Sequence, residues 1–194
     1  MALIPYADPQ NAPKEVRELL EVLPDLHVFR MVGQAPTLFG PWLALGGAIL
    51  ATLELDPLLR ELAILQVAST VGCEYERLQH AAIAAGVGAT SDQVTLLATA
   101  REGRDQDAMH RAFTPCQRAV ISFTDQVAGP GRASEEEVVA LREHLSDHCI
   151  VELLLVIGHY FGIALLAETV RLDLDEPAQM AVVDLAAGTT SNGR

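Results

Sequence analysis

The chain has 194 residues, half of them apolar, and sets 26 Asp and Glu against 13 Lys and Arg for a formal net charge of -13. That length suits one domain with a continuous apolar core, and the acidic balance argues against nucleic acid and anionic membrane surfaces as partners, since both need a basic patch. Three scattered cysteines, Cys73, Cys116 and Cys149, make no secreted disulfide framework and fit a reducing cytoplasm. Met1 to Pro13 has neither the basic stretch nor the apolar run of a signal peptide.

Helix signals recur along the chain and strand signals do not. Asn11, with Pro13 just inside, opens an amphipathic helix carrying Val16, Leu19, Leu20 and Leu23, which Pro24 ends. A short segment over Leu26 to Val32 follows, then an apolar stretch from Thr37 to Leu53. The charge-free run between Arg30 and Glu54 is long enough to cross a bilayer, but Gln34, Pro36, Gly40, Pro41 and the Gly46-Gly47 pair interrupt it, so it reads as a buried helix. Asp56-Pro57 is a cap followed by a first-turn proline and opens a central helix that Gly72 interrupts. The next helix runs from Cys73 or Glu74 to Ala85, with Gly86 in the C-terminal capping position. Thr90 or Ser91 caps a helix through Ala100, and the charged residues from Arg101 to Asp107 read as a solvated connection. Thr114-Pro115 starts a helix ended by Gly129-Pro130-Gly131, Ser134 with Glu137 matches a capping box for a helix to Leu145, and Asp147 caps a long apolar helix to Val170. Residues 1–172 therefore read as one all-α bundle and residues 173–194 as a partly mobile tail. Two helices with so little polar surface call for cover from other copies of the chain.

Chemistry concentrates between Glu61 and His80. On the helix after Gly72, Cys73, Glu76 and His80 fall on one stripe, and Glu61 joins them if the preceding helix folds back. Burial raises a carboxyl pKa while an adjacent imidazolium lowers it, and such opposed pushes hold one acid and one base near neutrality. Cys73 at a helix start would feel the dipole that favours thiolate. Each residue also has a plainer reading: Glu76 and His80 as a surface pair, Cys73 as a small buried hydrophobe, Glu61 as a solvated first-turn acid. No CxxC or HExxH occurs, His144 and His148 straddle a helix junction, and no metal or cofactor is expected. His159 reads as a core histidine that could line the same cavity.

The run Arg60-Glu61-Leu62-Ala63-Ile64-Leu65, then Gly72-Cys73-Glu74-Tyr75-Glu76 and Gln79-His80, resembles the carboxymuconolactone decarboxylase family, which includes the alkylhydroperoxidase-D-type proteins. The resemblance extends to Val28-Phe29-Arg30-Met31 and Ala35-Pro36 upstream and to Val151-Glu152-Leu153 and Gly158-His159-Tyr160 downstream. It implies an all-α domain, a trimer or dimer of trimers, and a pocket near Glu61, Cys73 and His80. In the hydroperoxidase branch a glutamate, a CxxC pair and a histidine work together; here Glu76 replaces the second cysteine, so no resolving disulfide can form within the motif.

Three readings follow. The first is cofactor-free acid/base catalysis (decarboxylation, isomerisation or cyclisation) on a small carboxylate, lactone or related carbonyl compound, with Glu61, Cys73, Glu76 and His80 as the site and Arg77, Arg30 and Tyr75 as the residues that hold substrate. The second is a hydroperoxide reductase using Cys73 and an external thiol. The third is a non-catalytic helical oligomer.

Overall fold

A computed structural model describes residues 1–99, 103–178 and 180–191, with the side chains of 189–191 left aside. Among them are eleven helices and no strand: α1 (Lys14–Leu20), α2 (His27–Val32), α3 (Pro36–Ala51), α4 (Pro57–Val71), α5 (Glu74–Gly86), α6 (Ser91–Ala98), α7 (Gln106–Ala112), α8 (Pro115–Ala128), α9 (Glu135–Arg142), α10 (Asp147–Val170) and α11 (Ala181–Ser191).

α4 is the axis of the bundle. Asp56 caps it by accepting from the Leu58 and Leu59 amides at 2.9 and 3.1 Å, and Pro57 fills a first-turn position where no amide is needed. Every residue from Leu59 to Ala68 is buried, because α5, α6, α8 and α10 all pack on it. A helix enclosed on all sides needs no polar face, which explains its all-round apolar sequence. Of its buried polar residues, Arg60, Glu61 and Gln66, the last is satisfied: its amide donates to Thr70 Oγ1 and Asp125 Oδ1, and Arg104 Nη1 donates to its carbonyl at 2.6 Å.

The turn from α4 into α5 sets up the site. Gly72 adopts φ +74, a left-handed conformation that glycine takes without Cβ strain, and the Cys73 amide closes on the Ala68 carbonyl at 2.8 Å. The chain thereby doubles back, and α5 lies along α4.

Several local expectations shift by a residue or more. Pro13, not Asn11, precedes α1, and Asn11 is drawn back to Asp8. The positive-φ glycine after α5 is Gly88, with Gly86 still helical. Ser146 caps α10 through the Cys149 amide, one residue before Asp147. Ser134 caps α9, but Glu137 turns its carboxylate to Ser122 and Gln126. The connection read as solvated, Arg101 to Asp107, holds the start of α7, and Arg104 there is an anchor onto α4; Ala100, Arg101 and Glu102 lie outside the described residues. α3 is only half-buried, since α4 holds the centre and α3 serves as a side wall.

α10 packs one face against α4, with Leu153, Val156, Ile157 and Ala164 buried, and leaves Val151, Leu154, Leu155 and Leu165 exposed. It is long and apolar enough to cross a membrane, a criterion that a core helix also meets. The segment after Asp173, read from sequence as a tail, makes contacts of its own. Asp173 takes the Met1 ammonium at 2.8 Å and the Tyr6 hydroxyl at 2.9 Å, and Asp175 takes the His27 amide and the Tyr75 hydroxyl, both at 2.7 Å. Gln79 ties down the Asp175 and Glu176 carbonyls and the Ala178 amide. α11 then lies against α3, with Ala186 close over Gly47.

Candidate active site

The α4–α5 reversal brings Glu61 opposite His80. Glu61 is 0% exposed and has both oxygens engaged: Oε1 accepts from Arg60 Nε at 2.8 Å and Oε2 lies 2.7 Å from His80 Nδ1. Burial alone would raise the Glu61 pKa, but the charges and hydrogen bonds of His80 and Arg60 override it and leave the group lowered, an ionised acceptor. A carboxylate that only accepts requires the proton on Nδ1, so His80 turns Nε2 towards Glu76. Burial works to lower His80, and Glu61 outweighs it, raising the imidazole above its ordinary value.

One turn earlier on α5, Glu76 places Oε2 3.4 Å from His80 Nε2, yet that oxygen receives no hydrogen bond. Burial raises Glu76 to about 7, with the His80 charge pulling down and Glu61 pushing up. Glu76 can thus gain or lose a proton near neutrality while facing a raised His80, and Glu61, with Arg60 behind it, fixes the imidazole. Arg60 is itself buried, and its Nη1 donates to the Leu50 carbonyl at 2.8 Å.

This pair borders a cavity of about 340 Å³, at the small end of the range for small-molecule sites. Glu76, His80, Tyr75 and Ile83 line it from α5, Trp42 and Leu50 from α3, and His159 and Tyr160 from α10; Val182, Leu185 and Ala186 of α11, Leu19 of α1 and Val28 and Phe29 of α2 add to the wall. Tyr160 stands edge-on to His80 at 4.7 Å and to His159 at 5.3 Å between centroids, and Trp42 leans on His159 at 5.5 Å. Burial, aided by the charge of His80, lowers His159 to about 4, so it is neutral.

The residues singled out from sequence fall into two groups. Glu61, Glu76 and His80 meet as the spacing predicts. Cys73 lies beside Glu76 but off the cavity: it is buried at the start of α5, its thiol meets the Glu76 backbone and the Glu168 side chain, it is not among the residues lining the cavity, and burial pushes its thiol up to about 12. The helix dipole is too weak to offset that desolvation, so Cys73 is a thiol and not a thiolate. Arg77 pairs outward with Glu74, and Arg30 lies over the Tyr6 ring with Nε on the Ala7 carbonyl; neither lines the cavity. Tyr75 lines it, but its hydroxyl donates to Asp175. Trp42, Tyr160 and the α11 residues escaped sequence reasoning as cavity walls. His159, a lone imidazole in an apolar helix, was the one signal pointing there. Among the described residues, no three His, Cys, Asp or Glu side chains are grouped to hold a metal ion.

Comparison with known proteins places this geometry. Residues 36–115, which contain α3 to α7 and the whole Glu61–His80 cluster, match the model of the carboxymuconolactone decarboxylase family. No match was found among curated proteins. Similar solved structures include an alkylhydroperoxidase AhpD core, an uncharacterized peroxidase-related protein from Ralstonia eutropha JMP134 (TM-score 0.76, 18% identity, 96% of each chain covered). Another is a peroxidase-related protein from Silicibacter sp. TM1040 (TM-score 0.70, 17% identity, 90% of this chain and 92% of that one). A third is a cysteine-to-alanine variant of the debrominase Bmp8 in complex with 2,3,4-tribromopyrrole (TM-score 0.69, 18% identity, 96% of this chain and 98% of that one). At these identities the likeness is one of fold. Residues 36–115 thus resemble the carboxymuconolactone decarboxylase family, and the chain has the all-α fold of the alkylhydroperoxidase-D-like proteins.

Proposed function

We propose that this protein is an enzyme performing cofactor-free acid/base chemistry on a small carboxylate, lactone or related carbonyl compound, by isomerisation, cyclisation or decarboxylation. The observation that carries this reading is the line Glu61 Oε2, His80 Nδ1, His80 Nε2, Glu76 Oε2, spaced 2.7 and 3.4 Å across the ring and set beside a cavity of about 340 Å³. In its carboxylate form Glu76 takes a proton from carbon next to a carbonyl, and the electron pair moves onto the carbonyl oxygen. His80 Nε2–H donates to that oxygen; reversal at a second carbon completes an isomerisation with no net change in protons. Glu61 touches no substrate and acts as a positioning residue. A Glu76 pKa of about 7 suits this work, because a general base is most effective when its pKa lies near the working pH.

The test is turnover of candidate carbonyl compounds. Glu76→Gln and His80→Ala should each abolish it, by about 100-fold or more, while Cys73→Ser retains most of it; full activity in Glu76→Gln would sink the reading.

The peroxidase-related names of two relatives favour a second reading, hydroperoxide reduction by Cys73 with an external thiol. The raised pKa of Cys73 and its place away from the cavity weigh against it. Exposure to peroxide followed by mass measurement separates the two, since oxidation at Cys73 with loss of peroxide would restore the thiol mechanism. A cavity reaching His80 also weighs against a purely structural oligomer. We assign the protein to the cytoplasm and to a homo-oligomer, a trimer or dimer of trimers, covering the exposed apolar face of α10.

A further inference from the structure

The walls of the cavity carry more than one kind of chemistry, and what they lack is as informative as what they hold. Among the described residues no Lys or Arg lines the cavity. Each arginine near it is engaged elsewhere: Arg60 behind Glu61 and on the Leu50 carbonyl, Arg77 on Glu74, Arg30 over Tyr6. Charge from His80 is matched by two carboxylates, Glu61 at 2.7 Å and Glu76 at 3.4 Å. The positive end of α5 is met by Glu74 and Glu76 in its first turn. The amide of Gln79 is tied to the C-terminal segment on both its oxygen and its nitrogen. The remaining lining is mostly aliphatic and aromatic, with a neutral imidazole, His159, opposite the acid/base pair.

A carboxylate entering this space would leave its water and find no cation, with Glu76 as a neighbour of like charge. An unpaired ion in an apolar enclosure is among the costliest arrangements a protein can make. We infer that the cavity takes an uncharged, largely apolar small molecule, of which a neutral ring carbonyl or lactone is the type, and excludes carboxylate anions. This rests on the acid/base reading for its reaction and narrows it: proton transfer that shifts a double bond or closes a ring stands ahead of decarboxylation, whose substrate must arrive as an anion.

Trp42 is the only tryptophan of the chain and lies in the cavity wall, so its fluorescence reports occupancy directly. The probes are cyclohexanecarboxamide and cyclohexanecarboxylate, alike in shape, different in charge and free of interfering absorbance. Titrated into the intact protein at pH 7, the amide should bind about tenfold or more tightly than the carboxylate, with thermal-shift measurement as a second readout. As the pH is lowered and the acid becomes uncharged, its affinity should climb towards that of the amide measured at the same pH. Equal or tighter binding of the carboxylate at pH 7 overturns the inference, and so does the absence of a response to either probe. The two readings fail separately. If the amide preference holds while Glu76→Gln and His80→Ala keep full turnover, only the catalytic assignment falls. If those variants are inactive and the carboxylate binds as well as the amide, only this inference falls.

Discussion

The ring of Tyr160 stands between two imidazoles of one cavity, and the protein drives them in opposite directions. His80 and His159 are both largely enclosed, and both meet Tyr160 edge-on. Burial pushes each towards the neutral form, yet His80 ends raised and His159 ends at about 4. The difference is Glu61: a carboxylate 2.7 Å from Nδ1, itself held ionised by Arg60, outweighs the desolvation of His80, whereas His159 has aromatic neighbours in Trp42 and Tyr160 and feels the charge of His80. Burial therefore does not decide a histidine's role; the charge placed against it does. Cys73 obeys the same rule, since a thiol enclosed without a cation is pushed up to about 12.

Removing Glu61 erases the difference between the two histidines. Glu61→Ala leaves Arg60 buried without its carboxylate and His80 without its acceptor, and should lower stability by about 3–5 kcal/mol in denaturant unfolding; a loss below about 1 kcal/mol would mean that the pair is solvated. In Glu61→Gln, which keeps the shape, His80 should fall towards the behaviour of His159.

A smaller effect sharpens the role of Glu76. Its carboxyl stays protonated in the folded protein up to about 7 but ionises from 4.5 when unfolded, so the native state holds a proton that the unfolded chain releases between those values. Its contribution to stability is thus full below 4.5 and is lost as pH rises through about 7, at most roughly 3 kcal/mol for a shift of this size. The raised His80 acts in the same direction, and the lowered Glu61 acts oppositely, its stabilisation being lost as pH falls below the ordinary carboxyl value. Unfolding measured from pH 5 to 8 should show stability declining in the wild type and a flatter profile in Glu76→Gln. Parallel profiles would remove Glu76 from the titration.

Much of the scaffold was legible because its signals are local. Asp56-Pro57, Thr90 and Thr114-Pro115 act within a single turn, and Gly72 marks its reversal by φ alone. From that reversal the meeting of Glu61 with His80 followed by helix geometry. What escaped depends on distant partners. α11 has small side chains and a glycine, and it lies against α3 near Gly47. The charge-rich stretch around Arg104 reads as solvated until Gln66, 38 positions earlier, is seen to receive it. Arg77 was expected in the pocket but meets Glu74 three residues away, the nearer and better-solvated partner. The thiolate expectation for Cys73 counted the local dipole and missed burial, a property of the assembled bundle.

Glu76 gains and loses its proton near neutrality beside a raised His80, while His159 stays neutral. Carbon and nitrogen NMR titration of the labelled protein reads all three groups at once. The expected result is a Glu76 carboxyl titrating at about 7, His80 above its ordinary value and His159 neutral down to about 4. Glu76 ionising as an ordinary carboxylate, or His80 and His159 titrating together, would contradict it.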